Sequence, residues 1–341
     1  MIMRIAINGF GRIGRTFFRQ AFGRKDAEII AVNDLTDAEN LAYLLKYDTV
    51  YGRYAKDVTV KREQGRSYLV VEGKKILSLS EKNPANLPWK ELNIDVVVES
   101  TGVFDSKEGS EQHLKAGAQR VVISAPAKGE VEHAVCGAND DRLSSPSLAP
   151  ITSNTSCTTN AVIPVAAVLM ENPGVEKAIL NTVHGYTASQ ALVDAPDKKD
   201  FRRGRAAAQN IIPSSTGAAK ATAKSLPAYK GIFDGIAIRV PVAAGSIIDF
   251  TFISKKNTSV DEINAILKEA ATQDKWKNVL KATEQPLVSS DIIGEPYSSI
   301  VDLSSTRVVD GNLVKVLSWY DNEWGYSHTL LMHVLQVGKL K

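Results

Sequence analysis

Cysteine is nearly absent. The chain has two, Cys136 and Cys157, too few for a disulfide framework, and that scarcity fits a reducing compartment. No apolar run reaches the length that spans a bilayer. The opening Met1-Ile2-Met3-Arg4-Ile5 enters a strand pattern without the basic region, apolar stretch and cleavage site of a secretory signal. A soluble, cytoplasmic protein is expected. Neither sign of charge dominates: 41 basic against 38 acidic side chains, scattered along the chain, give a net +3. That balance speaks against a nucleic-acid surface and still admits anionic substrates. Internal repeats and low-complexity tracts are missing as well, and no metal site is expected. What remains is a 341-residue chain that is 44% hydrophobic, enough for two domains, each with its own core.

The most informative stretch is Ser153-Asn154-Thr155-Ser156-Cys157-Thr158-Thr159-Asn160. Residues 161–170 after it read as a buried helix, which puts Cys157 at or near a helix N-terminus. Unpaired backbone N–H groups and the positive end of the helix dipole there favour a thiolate, the nucleophilic form. A free cysteine is by default a small core hydrophobe. The hydroxyls and amides around this one point instead to a reactive thiol.

The first half reads as a dinucleotide site. A short strand, 4–8, leads into Gly9-Phe10-Gly11-Arg12-Ile13-Gly14 and then a helical pattern over 15–22. Gly9 permits the tight turn, Gly11 admits a pyrophosphate to the backbone, and Gly14 lets helix and strand pack closely. A second strand, 28–33, ends in Asp34, whose carboxylate can bind ribose hydroxyls and repel a 2′-phosphate, favouring NAD over NADP. Strands follow at 58–60, 67–72, 75–79, 95–99 and 121–124, and helices at 38–46 and 106–116. Apolar strands alternating with helices predict a parallel sheet covered by helices. Thr101 and Ser124, at carboxyl ends of such strands, are expected to line the cofactor crevice.

The second half supplies chemistry. A strand over 178–183 ends in His184-Gly185-Tyr186-Thr187. His184 closes it as a catalytic base would, and pairing with Cys157 is expected to lower the thiol pKa and shuttle a proton. His113, His133, His328 and His333 lack such company, and a structural role is their default. Residues 193–209 lack apolar periodicity and suggest a long ordered loop with a functional part. Ser214-Ser215-Thr216-Gly217-Ala218-Ala219 offers hydroxyls and a glycine at a helix start, a phosphate cradle. Arg239 interrupts an apolar strand, 236–241, and needs an anion. Arg203 and Arg239, with threonines at two places, imply two anion subsites.

Taken in order, several motifs resemble those of the phosphorylating glyceraldehyde-3-phosphate dehydrogenases. They are Asn8-Gly9-Phe10-Gly11-Arg12-Ile13-Gly14-Arg15, Ser156-Cys157-Thr158-Thr159-Asn160, His184-Gly185-Tyr186-Thr187, Arg202-Arg203-Gly204-Arg205, Ser215-Thr216-Gly217-Ala218-Ala219-Lys220, Arg239-Val240-Pro241 and Trp319-Tyr320-Asp321-Asn322-Glu323-Trp324-Gly325. The likeness runs nearly end to end. It implies an α/β fold: a Rossmann-type dinucleotide-binding domain, 1–156 with 322–341, plus an α+β catalytic domain, 157–321, with a mixed or antiparallel sheet. The last helix is then expected to pack on the cofactor domain.

The resemblance also implies roles. Cys157 attacks the aldehyde of D-glyceraldehyde 3-phosphate and His184 handles the proton. Oxidation by NAD leaves a thioester, which inorganic phosphate cleaves to 1,3-bisphosphoglycerate, the step shared by glycolysis and gluconeogenesis. Thr187 and Arg239 would hold the substrate phosphate, and Ser156, Thr158, Arg203, Thr216 and Gly217 a second anion. Gly9, Gly11, Arg12, Ile13, Gly14, Asp34, Lys82, Ser124 and Asn322 would serve the cofactor, with Asn322 at the nicotinamide amide. A homotetramer is implied, with the 193–209 loop between subunits. Ala195 stands before Pro196 where NAD-specific relatives often carry leucine, which leaves room for some NADP use. Thr155 replaces a commoner alanine, a change too small to disturb the chemistry. Two rival readings are a dehydrogenase of erythrose 4-phosphate and a thiol hydrolase built on Cys157 and His184. A third is a protein whose main role is binding.

Overall fold

A computed structural model describes residues 2–340, in two units: Met1–Thr155 with Leu330–Lys341, and Ser156–Thr329. The first opens with β1 (Met3–Asn8), α1 (Arg12–Ala21), β2 (Ala27–Asn33) and α2 (Ala38–Lys46). There follow β3 (Val58–Glu63), β4 (Arg66–Val71), β5 (Lys74–Leu79), β6 (Val96–Glu99) and α3 (Lys107–Lys115). It continues with β7 (Arg120–Ile123), β8 (Glu132–His133), α4 (Asp140–Leu143) and β9 (Ile151–Ser153). Its sheet runs β3-β4-β5-β2-β1-β6-β7-β9-β8. Every pair from β5 to β8 is parallel, and β3, β4 and β5 form an antiparallel meander. The apolar runs of β6 and β7 are buried at every position, as strands covered on both faces must be. The meander turns at Gln64-Gly65 and Glu72-Gly73, all four residues at positive φ, the geometry that matches strand twist in a two-residue hairpin.

The second unit begins with α5 (Cys157–Glu171) and the long β10 (Val175–Gly185). After an irregular stretch with two short 3₁₀ turns come β11 (Ile212–Ser215), α6 (Ala218–Ser225), β12 (Phe233–Val240), β13 (Ser246–Ser254) and α7 (Val260–Thr272). Then come β14 (Leu280–Thr283), β15 (Ser299–Val309), β16 (Leu313–Tyr320) and α8 (Trp324–Val337). The sheet order is β11-β12-β10-β13-β16-β15-β14. Its β10–β12 and β14–β15 pairs are parallel and the others antiparallel, so this is the mixed sheet of an α+β unit. β13 alternates buried and half-buried residues along its length, which sets one face of the sheet inward.

The chain returns to the first unit at Leu330, inside α8, rather than at the expected Asn322. Hydrogen bonds explain the difference. Asp321 caps the start of α8 through Oδ1, which accepts from the N–H groups of Glu323 and Trp324, and its Oδ2 accepts from Gly294. Asn322 Oδ1 accepts from the Gly245 N–H and the Ser246 hydroxyl, both at 3.0 Å. The start of the helix is thus anchored in the second unit. Its far end belongs to the first, where His333 Nε2 meets the Thr152 hydroxyl at 2.9 Å and Nδ1 donates to Asn154 Oδ1 at 3.2 Å. This is the structural role expected of His333.

Candidate active site

Cys157 is the first residue of α5, with Ser156 as N-cap: the Ser156 hydroxyl accepts from the Thr159 N–H at 3.1 Å. The helix therefore starts earlier than residue 161, and the cysteine sits inside its first turn. Thr155, just before the cap, is held at φ 60°. A β-branched residue rarely adopts that conformation, and it costs about 1–2 kcal/mol. Its N–H is tied to the Ser153 hydroxyl at 3.0 Å, and the sharp turn delivers the sulfur to the helix start. His184 arrives from β10, and Cys157 Sγ lies 3.4 Å from His184 Nε2.

Arg239 is the register partner of His184 on the neighbouring β12. Its Nη1 approaches His184 Nδ1 to 2.5 Å and donates to Gly185 O at 3.1 Å, while Nδ1 itself lies 2.6 Å from that oxygen. Guanidinium can only donate, so with Arg239 in place Nδ1 accepts and Nε2 carries the hydrogen toward sulfur. Burial, and then the Arg239 charge, push the imidazole pKa down to about 3. Burial also raises the Cys157 thiol above its ordinary value, against the pull of Arg239 and of bonds from Thr158. The expected lowering of the thiol by its histidine is thus reversed here, because an imidazole beside a bare cation is held neutral and offers sulfur no positive charge.

Of the expected anion-binding residues, the structure links Thr187 to Arg203. The Thr187 and Ser189 hydroxyls are 3.0 Å apart, and Arg203 Nη2 donates to Ser189 Oγ at 2.7 Å. Arg203 lies near enough to Arg239 for the two cations to repel. Thr216 and Gly217 lead into α6, where the Thr216 hydroxyl accepts from the Ala218 N–H and a Cβ at Gly217 would meet open space. The Thr158 hydroxyl turns inward to Tyr320 at 3.0 Å. Tyr320 also meets the Thr182 hydroxyl at 2.8 Å and stands edge-on to the His184 ring. Sequence reasoning missed Tyr320 and Ser189. Tyr320 fell inside a quoted motif, and its polar oxygen at an inward position of β16 was the available signal. Asn322, with Oδ1 held by Gly245 and Ser246, has its Nδ2 hydrogens to offer a ligand.

The first unit offers a matching nucleotide cradle. Gly9 has φ +92°, and a Cβ there would come within 2.5 Å of the Thr101 nitrogen; one on Gly14 would lie 2.2 Å from Gly9 O. Neither glycine can be replaced without moving backbone. At Gly11 a Cβ would meet nothing within 4 Å, and no side chain caps α1. Asp34 follows β2, with Oδ2 accepting from the Phe10 N–H at 2.8 Å and Oδ1 from Thr36 at 3.0 Å. Arg12 and Ile13 open α1, and the Arg12 guanidinium is paired with Asp48 at 3.0 Å. Lys82 is exposed, and the Ser124 N–H bonds Glu99 O at the end of β7.

Two family models match the chain. The NAD binding domain of glyceraldehyde 3-phosphate dehydrogenase matches residues 3–107, and the C-terminal domain of the same enzyme matches 156–322. This chain belongs to the glyceraldehyde-3-phosphate dehydrogenase family. It is 50% identical over 339 residues to the Streptomyces coelicolor glyceraldehyde-3-phosphate dehydrogenase, covering 99% of both chains. The Geobacillus stearothermophilus enzyme of that name is 49% identical over 331 residues, 97% of each chain. That of Mycolicibacterium smegmatis is 49% identical over 346 residues, 99% of each. Membership makes this chain an NAD-dependent oxidoreductase acting on an aldehyde group, and it does not favour the erythrose 4-phosphate reading. The glycine cradle and the NAD-domain match leave the thiol hydrolase reading without support.

Proposed function

We propose that Cys157 and His184 carry out the NAD-dependent oxidative phosphorylation of D-glyceraldehyde 3-phosphate to 1,3-bisphosphoglycerate. The 3.4 Å approach of Sγ to Nε2 carries the reading. Arg239 can hold one of two partners, the His184 ring nitrogen or a phosphate oxygen. When the substrate phosphate takes Arg239, with Thr187 beside it, Nδ1 is left 2.6 Å from Gly185 O. A proton on Nδ1 then donates to that oxygen, and the Nε2 lone pair faces the thiol. His184 takes the Cys157 proton as sulfur adds to the aldehyde carbon, and returns it to the new alkoxide to give the hemithioacetal. NAD, when bound, would accept the hydride from this adduct while His184 Nε2 takes back the hydroxyl proton, which leaves a thioester. Ser156, Arg203, Thr216 and Gly217 hold inorganic phosphate for attack on the thioester carbonyl, which expels the Cys157 thiolate. Thr158, whose hydroxyl also meets Tyr320 at 3.0 Å, serves this position with them.

Gly9, Gly11, Gly14, Arg12, Ile13, Asp34, Lys82, Ser124 and Asn322 serve the cofactor in this reading. We assign the exposed apolar residues to contacts between copies, as a homotetramer requires. Ile179 and Ile236, 58% and 51% exposed on neighbouring strands, and Phe201, 86% exposed, form surfaces that a lone copy leaves wet. We place the enzyme in the cytoplasm on its two unpaired cysteines; among the described residues no helix is long and apolar enough to cross a membrane. A steady-state assay with glyceraldehyde 3-phosphate tests the reading. Turnover should need NAD, and without inorganic phosphate or arsenate it should stop after one equivalent per site. Sustained turnover without an acyl acceptor would overturn it.

A further inference from the structure

The first unit contains a buried polar chain that the reaction does not use. Asn33, Asn8 and Glu99 are the last residues of β2, β1 and β6, and they are register partners, one rung across three parallel strands. At this rung the side chains continue the ladder. Asn33 Nδ2 donates to Asn8 Oδ1 at 2.7 Å, and Asn8 Nδ2 to Glu99 Oε2 at 2.6 Å. Glu99 Oε1 accepts from the Thr101 N–H and hydroxyl at 2.8 and 2.5 Å. Behind it, Trp89 Nε1 donates to His113 Nδ1 at 3.0 Å, which assigns the ring hydrogen to Nε2, 3.0 Å from Glu99 Oε2. At the other end Asn33 exchanges two bonds with the backbone of Glu81, at 2.9 and 2.8 Å.

The side chains of Asn33, Asn8, Glu99, His113 and Trp89 are almost wholly buried, from 0% exposed at His113 and Trp89 to 4% at Asn33. A carboxylate in that position is tolerated only because four donors meet it. Such a network is costly to keep, and its placement says what it does. Gly9, Asp34 and Lys82 each directly follow one of its members, Asn8, Asn33 and Glu81.

We propose that this rung, rooted in Glu99 and His113, is a positioning device that sets the spacing of Gly9, Asp34 and Lys82, and with it the affinity for the ADP-ribose half of NAD. The proposal rests on the cofactor reading of those three residues. The backbone ladder reaches one residue past the rung, Gly9 N–H donating to Asn33 O at 2.8 Å and Asp34 N–H to Leu79 O at 3.1 Å, and the side chains add the cross-links that tie Glu99 and the Glu81–Lys82 loop to those strand ends. The rigid amide and carboxylate planes hold the three loop starts in register while leaving their peptide groups to the ligand.

The test measures NAD and ADP-ribose binding by calorimetry, and the iodoacetamide alkylation rate of Cys157 in cofactor-free protein. Glu99→Gln keeps volume but turns one acceptor oxygen into a donor facing other donors. We expect it to weaken both ligands about tenfold or more, with alkylation within about twofold of wild type. His113→Leu should behave alike. His113→Gln, whose amide can still donate to Glu99, should return to within about threefold of wild type. The pair of His113 variants decides the matter even where Glu99→Gln does not fold. Unchanged ADP-ribose affinity in His113→Leu would overturn the proposal, as would a loss matched by an equal change in alkylation, the mark of general loosening. A wild-type chain that bound neither ligand would overturn the cofactor reading and this proposal with it, an outcome recognisable without any variant.

Discussion

His113 and His184 are both buried, one in each unit, and their surroundings are opposite in kind. Around His113 each donor meets an acceptor: Trp89 to Nδ1, Nε2 to Glu99, Asn8 to Glu99 and Asn33 to Asn8. Around His184 the polar groups compete. Arg239 and Gly185 O crowd the same ring nitrogen, and among the described residues no carboxylate pairs with Arg239. A matched network has nothing to gain by changing partners, so it holds strands in place. A mismatched one relaxes when an anion arrives, and that makes it a place for chemistry.

The largest expected effect separates the two regions outright. Cys157→Ser should reduce turnover by about three orders of magnitude or more, since a hydroxyl at this position lacks a comparable path to the anionic nucleophile. NAD affinity should stay within about twofold, because the first unit's cradle and its buried rung contain no part of the thiol site. A parallel fall in cofactor affinity, read by calorimetry, would erase the distinction drawn between the regions.

A smaller effect compares His184 with His333. Both are held neutral in the folded chain, with pKa values near 3 against an ordinary 6.5, but for different local reasons. His333 is desolvated with both ring nitrogens satisfied, by Thr152 and Asn154; His184 is desolvated and faces Arg239. In each case the unfolded chain takes up a proton between about pH 6.5 and 3 that the folded chain refuses. The stability these groups contribute is therefore full above pH 6.5 and lost as pH falls, by about 1.4 kcal/mol per unit for each histidine. Urea unfolding at pH 7, 6 and 5 should show the decline. His184→Asn should remove about one proton from its slope, and His333→Gln another. An unchanged slope in His184→Asn would mean that its imidazole is protonated in the fold and already paired with a thiolate.

How much of this was legible beforehand follows from the range of the interactions. The glycine turn, Asp34, the helix over 38–46 and His184 at a strand end are local patterns, written within a few residues, and each lies where the pattern put it. The Asn8, Asn33 and Glu99 rung is not local. Asn8 and Asn33 read as the polar ends of strands, and only the parallel register aligns them with a glutamate 91 residues away. His113 had the right default, a structural role, without its partner being visible. Arg239 was legible as a cation needing an anion, but its hold on His184 depends on which strands neighbour β10. Tyr320 was hidden for the same reason. The start of α5 was placed late because Thr158, Thr159 and Asn160 favour turns by propensity, and the Ser156 cap overrides them.

The smallest effect concerns cofactor choice. Asp34→Ala removes a carboxylate whose two oxygens are held by the N–H groups of Phe10 and Thr36. Its loss ends the repulsion of a 2′-phosphate and also leaves two backbone donors aimed at the position the carboxylate occupied. A 2′-phosphate can accept from both, whereas the bare ribose of NAD replaces them less well. The variant should therefore gain about tenfold in the NADP to NAD ratio of kcat/KM, more through better NADP use than through loss of NAD. Asp34→Asn is the sharper control: its amide hydrogens would conflict with the Phe10 and Thr36 donors, so it should lose NAD affinity without gaining NADP. If the two variants behaved alike, charge alone would set the choice, and the paired N–H groups would have no part in it.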